Sequence, residues 1–189
     1  MNLPLNHYVR LPEWQVSTWV NTPRSITLES LRGKVVLLHT FQMLCPGCVM
    51  HALPQAERVH QTFSDQDVAV VGLHTVFEHH SAMNVDALHA FIREFRWSFP
   101  IGVDQASPDG DVPRTMTAYG LRGTPSHIVL DQHGFVRMHQ FGRVDDLNLG
   151  GLIGQLLAEA DHDNSNLRMN GQVMPDIVVG NCTQEGCSR

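Results

Sequence analysis

The sequence predicts an α/β protein with a central mixed β-sheet that is covered by helices on both faces. Segments with strand and helix patterns alternate three times along the chain before a β-hairpin and a final helix. This order is typical of sheets covered on both sides. Hydrophobic residues make up 42% of the 189 residues and charged residues 17%, which indicates a globular chain and excludes a wholly disordered one.

The predicted strands are short, apolar runs rich in β-branched residues. "VVLLHTF" at 35–41 has the pattern of a central strand buried on both faces, and "VAVVGLHTV" at 68–76 predicts a second buried strand. "FPIGVD" at 99–104 predicts a third, shorter strand. A further strand, followed by a short turn of helix and a loop, is predicted over 25–34. "HIVLDQHGFVRMHQF" at 127–141 predicts a β-hairpin with a glycine-containing turn.

The predicted helices follow from apolar residues at helical spacing. "LCPGCVMHALPQAERVHQTF" at 44–63 predicts an amphipathic helix that begins near Pro46 and is kinked by Pro54. Asn84 is the predicted N-cap of the next helix. A short helix precedes the loop before the hairpin. The final helix is predicted over 145–160, with one of the two aspartates at its start as N-cap.

The sequence predicts one domain over 1–160 and a short C-terminal extension over 161–189. The extension begins with "DHDNSNLRMNGQ", whose polar composition predicts a linker. A short apolar piece, "VMPDIVV", and the ending "GNCTQEGCSR" follow it.

The charge and the N-terminus restrict partners and compartment. The formal net charge is −6 with histidine neutral, so neither nucleic acid nor an anionic membrane is an expected partner. The N-terminus has no signal-peptide pattern, and the apolar runs are too short to span a bilayer. A cytoplasmic location is therefore expected. Thiols are kept reduced there, so a close cysteine pair is more often catalytic or metal-binding than structural.

The motif that carries chemistry is "CPGC" at 45–48, a Cys-x-x-Cys at a strand-to-helix junction. The first cysteine lies at the helix N-terminus, where unpaired N–H groups and the helix dipole stabilise an anion. Thiols in such places have pKa values of about 3.5–7.5, against about 8.5 for a free thiol. Cys45 is therefore the candidate nucleophile, and Cys48, one turn further in, is the candidate resolving thiol. A metal site and two buried small residues are the alternatives.

A second motif, "YGLRGTPSHIVLDQHGFV", lies downstream and resembles the loop and hairpin of thioredoxin-like proteins. Together with "RGKVVLLHTFQMLCPGC", this resemblance covers roughly residues 26–160. The additional strand and helix at 68–97 are similar to the insertion of the TlpA-like and AhpC/TSA (redoxin) branches of that superfamily. The resemblance implies a thioredoxin-like fold and thiol-disulfide oxidoreductase activity, with no cofactor.

The resemblance also implies roles for three residues outside the cysteine pair. Pro125 is expected to be cis and to pack against the cysteines, leaving its loop to pair with an extended substrate. Thr124, just before it, is expected to hydrogen-bond the Cys45 sulfur. His39 occupies the position of the buried aspartate of thioredoxins, which exchanges a proton with the second cysteine. A structural role for His39 is the alternative, and His51 is a second candidate for the proton exchange.

Some positions depart from the relatives' patterns. Leu44 precedes the first cysteine, where thioredoxins have tryptophan, so recognition of partners is expected to differ. Peroxiredoxins have threonine three residues and proline seven residues before the peroxidatic cysteine. Gln42 and Leu38 occupy those places here, which argues against peroxidase activity. Arg122 does not distinguish the two families.

The leading hypothesis is a thiol-disulfide oxidoreductase that acts on a protein or small-thiol disulfide and is recycled by a cellular thiol reductant. A peroxiredoxin-like thiol peroxidase acting through Cys45 is the alternative enzyme. Outside enzymes, Cys45, Cys48, Cys182 and Cys187 form a hypothetical zinc site, and a redox-sensing module without turnover is another alternative. The Cys182 and Cys187 pair in the extension is also a candidate second redox couple.

Overall fold

The structure, a computed structural model, describes residues 9–170 and the side chains of residues 9–160. This part of the chain forms six strands and four α-helices. In chain order they are β1 (Val16–Val20), β2 (Val35–Phe41), α1 (Leu53–Thr62), β3 (Val68–His74), α2 (Val85–Phe95), β4 (Ile101–Asp104), α3 (Arg114–Ala118), β5 (Ser126–Leu130), β6 (Val136–Phe141) and α4 (Asp146–Asn170).

The six strands form one mixed sheet, in the order β1-β4-β3-β2-β5-β6. The neighbouring pairs β2–β3 and β3–β4 are parallel, whereas β1, β5 and β6 each pair antiparallel with a neighbour. All seven residues of β2 are buried, as its apolar sequence predicts for a central strand. The predicted mixed sheet is confirmed.

Apolar side chains fill a separate core on each face of the sheet. On one face, Leu37 and Phe41 of β2 pack in a core with residues of α1, α2 and α4. On the other face, Val36 and Leu38 pack in a core with Met116 of α3 and with residues of the N-terminal segment and loops. Helices therefore cover both faces, which confirms the predicted layered architecture.

Two helix starts agree with the predicted capping residues. The Asn84 side chain accepts a hydrogen bond from the Ala87 N–H at 2.9 Å and caps α2. The Asp145 carboxylate accepts one from the Leu147 N–H at 3.0 Å at the start of α4. In each case the side chain satisfies a backbone donor that the helix leaves unpaired.

The helix after the cysteine motif begins at Pro46, as predicted, but it is not α-helical throughout. Residues Cys48–Ala52 form a π-helical turn, in which the Leu53 N–H donates to the Cys48 carbonyl. Pro54 then occupies one of the first two positions of α1, where a missing N–H does no harm. The π-helical turn before Pro54 was not predicted, and the kink expected at Pro54 stays a prediction.

Three segments differ from the sequence prediction. Strand β1 was not predicted. It is a short edge strand of five residues, and it forms because it pairs with β4, which is distant in sequence. The strand and helical turn predicted over 25–34 are wrong, because residues 25–27 have no regular structure and residues 28–33 form turns before β2. This segment has no strand partner within residues 9–170. It is held instead by hydrogen bonds to side chains, such as that from the Ser30 N–H to Thr27 Oγ1 at 3.1 Å. Helix α4 extends over 161–170, where the polar composition predicted a linker.

Candidate functional site

Cys45 lies in the loop after β2, at the N-terminus of the helix that begins at Pro46. Its carbonyl oxygen accepts a hydrogen bond from the Val49 N–H at 3.1 Å. Its Sγ accepts one from the Cys48 N–H at 3.2 Å. The sulfur is half-buried and lies where a helix N-terminus offers a hydrogen-bond donor to an anion.

Cys48 is buried in the core beneath this turn, with no exposed surface. Burial, and then its hydrogen bond with Cys45, raise the pKa of the Cys48 thiol to about 12. The Gln42 backbone and the Thr124 side chain oppose this rise only in part. Both thiols are free in this structure. The outer sulfur is therefore accessible, whereas the inner one holds its proton and must lose it before it can attack.

The loop that contains Thr124 and Pro125, called the proline loop below, packs directly against the turn at residues 45–48, called the cysteine turn. The Thr124–Pro125 peptide bond is cis, as predicted. The Cys45 thiol donates to the Thr124 carbonyl oxygen at 3.5 Å, so the expected contact is made by the backbone. A Cβ placed on Gly47 would lie 3.4 Å from the Pro125 ring, so a side chain there would be in van der Waals contact with the proline. The structure thus brings together both cysteines, Thr124 and Pro125.

His39 lies on the face of β2 that points towards the core containing Cys48, between Leu37 and Phe41. It is fully buried, and neither of its ring nitrogens has a hydrogen-bond partner. Burial, reinforced by the nearby His127, holds its pKa well below the usual value. His39 and Cys48 share one layer but are not hydrogen-bonded to each other. The proton-exchange role of His39 stays a prediction.

His127 is a residue of this region that the sequence did not single out. It is the direct cross-strand partner of His39 in the β2–β5 pair, and the two ring centroids lie 4.7 Å apart. It is 1% exposed, both of its ring nitrogens lack a hydrogen-bond partner, and burial lowers its pKa to about 4. The only sequence signal was its place two residues after Pro125, which has meaning only once the strand register is known.

A cavity of about 180 Å³ lies beside the cysteine turn. Gly47, His51 and His127 form part of its wall. Arg58 and Asp146, which form an ion pair at 2.9 Å with side chains more than half exposed, also line it. The cavity therefore connects the buried His127 with the protein surface. His51 is exposed on this wall and makes no hydrogen bond with Cys48.

The surface around Cys45 carries exposed apolar side chains. Leu44 is 58% exposed, Met50 is 69% exposed and Phe141 is 50% exposed. The Arg122 guanidinium lies 5.9 Å from the centre of the Phe141 ring. Exposed apolar groups beside a reactive atom are typical of a site that binds a partner.

The two positions that bear on peroxide chemistry offer no hydroxyl group. Gln42 is buried with its Oε1 atom unpartnered, and Leu38 is part of the core on the opposite face of the sheet. Within residues 9–160, no group of three or more His, Cys, Asp or Glu side chains is arranged to hold a metal ion. Cys182 and Cys187 lie outside the described residues. In the part of the chain that the structure describes, no helix is long and apolar enough to cross a membrane.

Comparison with known proteins identifies the family. The model of the AhpC/TSA family matches residues 10–139. The Mycobacterium bovis protein DipZ is 32% identical over 165 residues, which cover 86% of this chain but only 23% of DipZ. The chain thus spans about a quarter of the length of that relative.

Two solved structures resemble the whole fold. The thioredoxin-like superfamily protein SPOA0173 is 53% identical, with a TM-score of 0.76 over 78% of this chain and 96% of that one. A thiol-disulfide isomerase from Corynebacterium glutamicum is 48% identical, with a TM-score of 0.77 over 81% of this chain and 98% of that one. These matches, together with the cysteine turn packed on a cis-proline loop, show that this chain has the thioredoxin-like fold and belongs to the AhpC/TSA family.

Proposed function

We propose that this protein is a thiol-disulfide oxidoreductase whose working groups are Cys45 and Cys48. The observation that carries the proposal is the pairing of a half-buried Cys45 with a buried Cys48 whose N–H donates to the Cys45 sulfur at 3.2 Å. This arrangement gives one thiol access to substrate and keeps the other ready to displace it. The names of the Corynebacterium isomerase and of the Halalkalibacterium halodurans oxidoreductase ResA, 27% identical over 128 residues, support the same chemistry.

The proposed reaction has two displacements. The Cys45 thiolate attacks one sulfur of a substrate disulfide, and the other substrate sulfur leaves as a thiolate. Cys48 then gives up its proton and attacks Cys45 Sγ in the mixed disulfide, which releases the second substrate thiolate. Two electrons pass from the dithiol to the substrate, and one proton is lost from Cys48. His39 is the proposed acceptor of that proton, because it is a neutral base in the same layer.

The proposed substrate is a disulfide of an extended protein segment or of a small thiol compound. Leu44, Met50 and Phe141 offer apolar contacts around Cys45, and the Pro125 loop borders it. A cellular thiol reductant is proposed to restore the dithiol. The proposed compartment is the cytosol. Alkylation of thiols in rapidly quenched cell fractions tests the proposed compartment and the proposed reductant. It reports which fraction contains the protein and whether its cysteines are reduced there.

The decisive experiment is trapping of the mixed disulfide. The Cys48→Ser variant is expected to accumulate a covalent complex with substrate that reductant releases, because the second displacement is blocked. The Cys45→Ser variant is the matched control and is expected to form none. Equal trapping by both variants contradicts the assignment of Cys45 as the nucleophile.

A parallel assay separates this function from thiol peroxidase activity. Reduction of insulin disulfides is expected in the wild type, with little consumption of hydrogen peroxide under the same conditions. The reason is that Gln42 and Leu38 stand where the peroxidatic pattern requires a hydroxyl and a proline. Fast peroxide consumption with slow insulin reduction overturns the proposal in favour of a peroxidase.

A further inference from the structure

The buried histidine pair poses a problem that the proposed dithiol chemistry leaves open. A neutral imidazole carries one N–H donor and one acceptor nitrogen. His39 and His127 are both buried, and none of their four ring nitrogens has a hydrogen-bond partner. Buried polar groups without partners are rare in folded proteins and costly. Two of them side by side, on the sheet face whose core also contains Cys48, require a functional explanation.

The two histidines differ in their access to solvent. His39 is 0% exposed and lies between Leu37 and Phe41 in the core layer that also holds Cys48. His127 lies against it, with 4.7 Å between ring centroids, and forms part of the wall of the 180 Å³ cavity. That volume is large enough for several water molecules. His39 is not part of the cavity wall, whereas His127 is.

We propose that His127 is the outer member of an imidazole pair that carries the proton of Cys48 from His39 to water in the cavity. The proposal rests on the proposed dithiol function and deepens it. His127 acts through His39 and is therefore a positioning residue rather than a catalytic one. The cavity beside the cysteine turn is the exit of this route.

The step balances in protons and electrons. The Cys48 S–H bond breaks, its proton goes to one ring nitrogen of His39, and the sulfur electron pair forms the bond to Cys45 Sγ. The substrate thiolate leaves with the electron pair of the broken mixed disulfide. His39 passes a proton from its other ring nitrogen to His127, and His127 passes one to water in the same way. Both imidazoles end neutral.

The surroundings of His39 and His127 keep both imidazoles neutral except while a proton is being transferred. Burial lowers the pKa of both histidines, so neither keeps the proton at neutral pH. The charged or titratable groups that face the pair or its cavity come from each neighbouring element. On the cavity wall they are His51 of the π-helical turn, Arg58 of α1, Arg143 of the loop before α4 and Asp146 of α4. In the core on the same face of the sheet they are Cys48 and, in contact with Phe41, His74 of β3.

His74 provides a matched control within the same sheet. Like His127, it is 1% exposed, has an unpartnered ring nitrogen and has a pKa lowered to about 4. It lines a different cavity, of about 350 Å³, with Val76 and Met83. Replacement of His74 therefore removes a buried imidazole of similar burial that is not a member of the proposed route.

The test uses 5,5′-dithiobis(2-nitrobenzoate) as substrate, in a chain with Cys182 and Cys187 replaced by serine. Attack by Cys45 releases one coloured thiolate, and resolution by Cys48 releases a second, so stopped-flow absorbance separates the two steps. His127→Phe is expected to slow the second phase about tenfold or more and to leave the first unchanged. His74→Phe is expected to leave both phases unchanged.

Chemical rescue distinguishes proton transfer from packing. In His127→Ala, imidazole added to the buffer is expected to restore the second phase, because it can enter the enlarged cavity and carry a proton. Pyrazole has the same size but is a much weaker base, and it is expected to restore nothing. If His127→Phe does not fold, as judged by its thermal transition, His127→Gln replaces it and is expected to slow the second phase equally.

The outcomes separate this proposal from the function it rests on. A wild type that releases only one coloured thiolate contradicts the dithiol chemistry itself. A wild type that releases two, with a second phase of equal rate in His127→Phe or His127→Gln, overturns the proton route alone. Equal slowing by His74→Phe, or equal rescue by pyrazole, assigns the effect to packing and also overturns it.

Discussion

At the scale of single residues, the two cysteines differ in exposure and in surroundings. Cys45 is half-buried with its sulfur at a helix N-terminus, whereas Cys48 is buried with a pKa raised to about 12. Only a deprotonated, accessible thiol reacts quickly with an alkylating agent. The contrast agrees with the proposed roles, in which Cys45 attacks the substrate and Cys48 attacks the mixed disulfide.

Alkylation of the reduced protein measures this contrast. At neutral pH, iodoacetamide is expected to label Cys45 more than about tenfold faster than Cys48. Peptide mapping by mass spectrometry assigns each label and separates these thiols from Cys182 and Cys187. The Cys45→Ser variant is the control, in which Cys48 is expected to remain slow. Preferential labelling of Cys48 in the wild type would reverse the assigned roles.

Replacement of His39 tests its proposed proton exchange. His39→Asp is expected to retain more disulfide reductase activity than His39→Ala, because a buried carboxylate is also able to accept the Cys48 proton. Activity at saturating substrate and the thermal transition are measured for both variants. If the two variants are equally active at equal stability, His39 is a structural residue.

At the scale of strands and helices, the sheet holds three buried histidines on one face. His39 of β2, His74 of β3 and His127 of β5 all point to the side covered by α1, α2 and α4. Burial lowers the pKa of each of them. In the unfolded chain each titrates near its ordinary value of about 6.5.

This arrangement predicts that the protein loses stability in mild acid. Below about pH 6.5 the unfolded chain binds more protons than the native one, so the free energy of unfolding falls as the pH falls towards the native pKa values. Between about pH 7 and pH 5 each buried histidine is expected to contribute a loss of about 2 kcal/mol. Urea unfolding at several pH values measures the slope. His74→Phe is expected to reduce it by about one such contribution, and an unchanged slope in that variant contradicts the explanation.

The element scale also shows how far the sequence could lead. Strand β2, the Asn84 cap and the hairpin were predictable because each depends on local periodicity or on a single capping side chain. Strand β1 and the register of β2 with β5 depend on partners distant in sequence, which a local pattern does not contain. His127 was missed for this reason, since only the register sets it opposite His39. The π-helical turn was not predicted, because the sequence indicated only a kink at Pro54.

At the scale of the whole molecule, the division into a domain over 1–160 and an extension over 161–189 remains a prediction. Helix α4 continues to Asn170, so a cut after 160 would remove part of a helix. The start of α4 lies beside α1, because the Gln55 amide of α1 donates a hydrogen bond to the Asp146 carboxylate at 2.6 Å. A truncation that keeps α4 as far as Asn170 therefore tests the extension without cutting through the described part of the helix.

The length of the chain beyond α4 allows a role for the second cysteine pair. A helix of 25 residues carries the chain roughly 36 Å away from its start near the cysteine turn. The dozen or so residues from Asn170 to Cys182 span at most about 41 Å when fully extended. A nearly extended segment of this length is comparable with the length of α4, which is what a return of Cys182 towards the cysteine turn would require.

Truncation after Asn170 tests the proposal that Cys182 and Cys187 exchange disulfides with Cys45 and Cys48. The shortened chain is expected to keep its thermal transition and its single-turnover attack by Cys45, because it retains the cysteine turn and α4 as far as Asn170. Multiple turnover with a thiol reductant is expected to slow severalfold, since the second pair no longer relays electrons to the first. A full-length chain with both tail cysteines changed to serine is the matched control and is expected to slow equally. Turnover as fast as that of the unmodified chain in both variants excludes a catalytic part for the tail, and stoichiometric zinc that is lost on truncation replaces the redox role with the four-cysteine metal site.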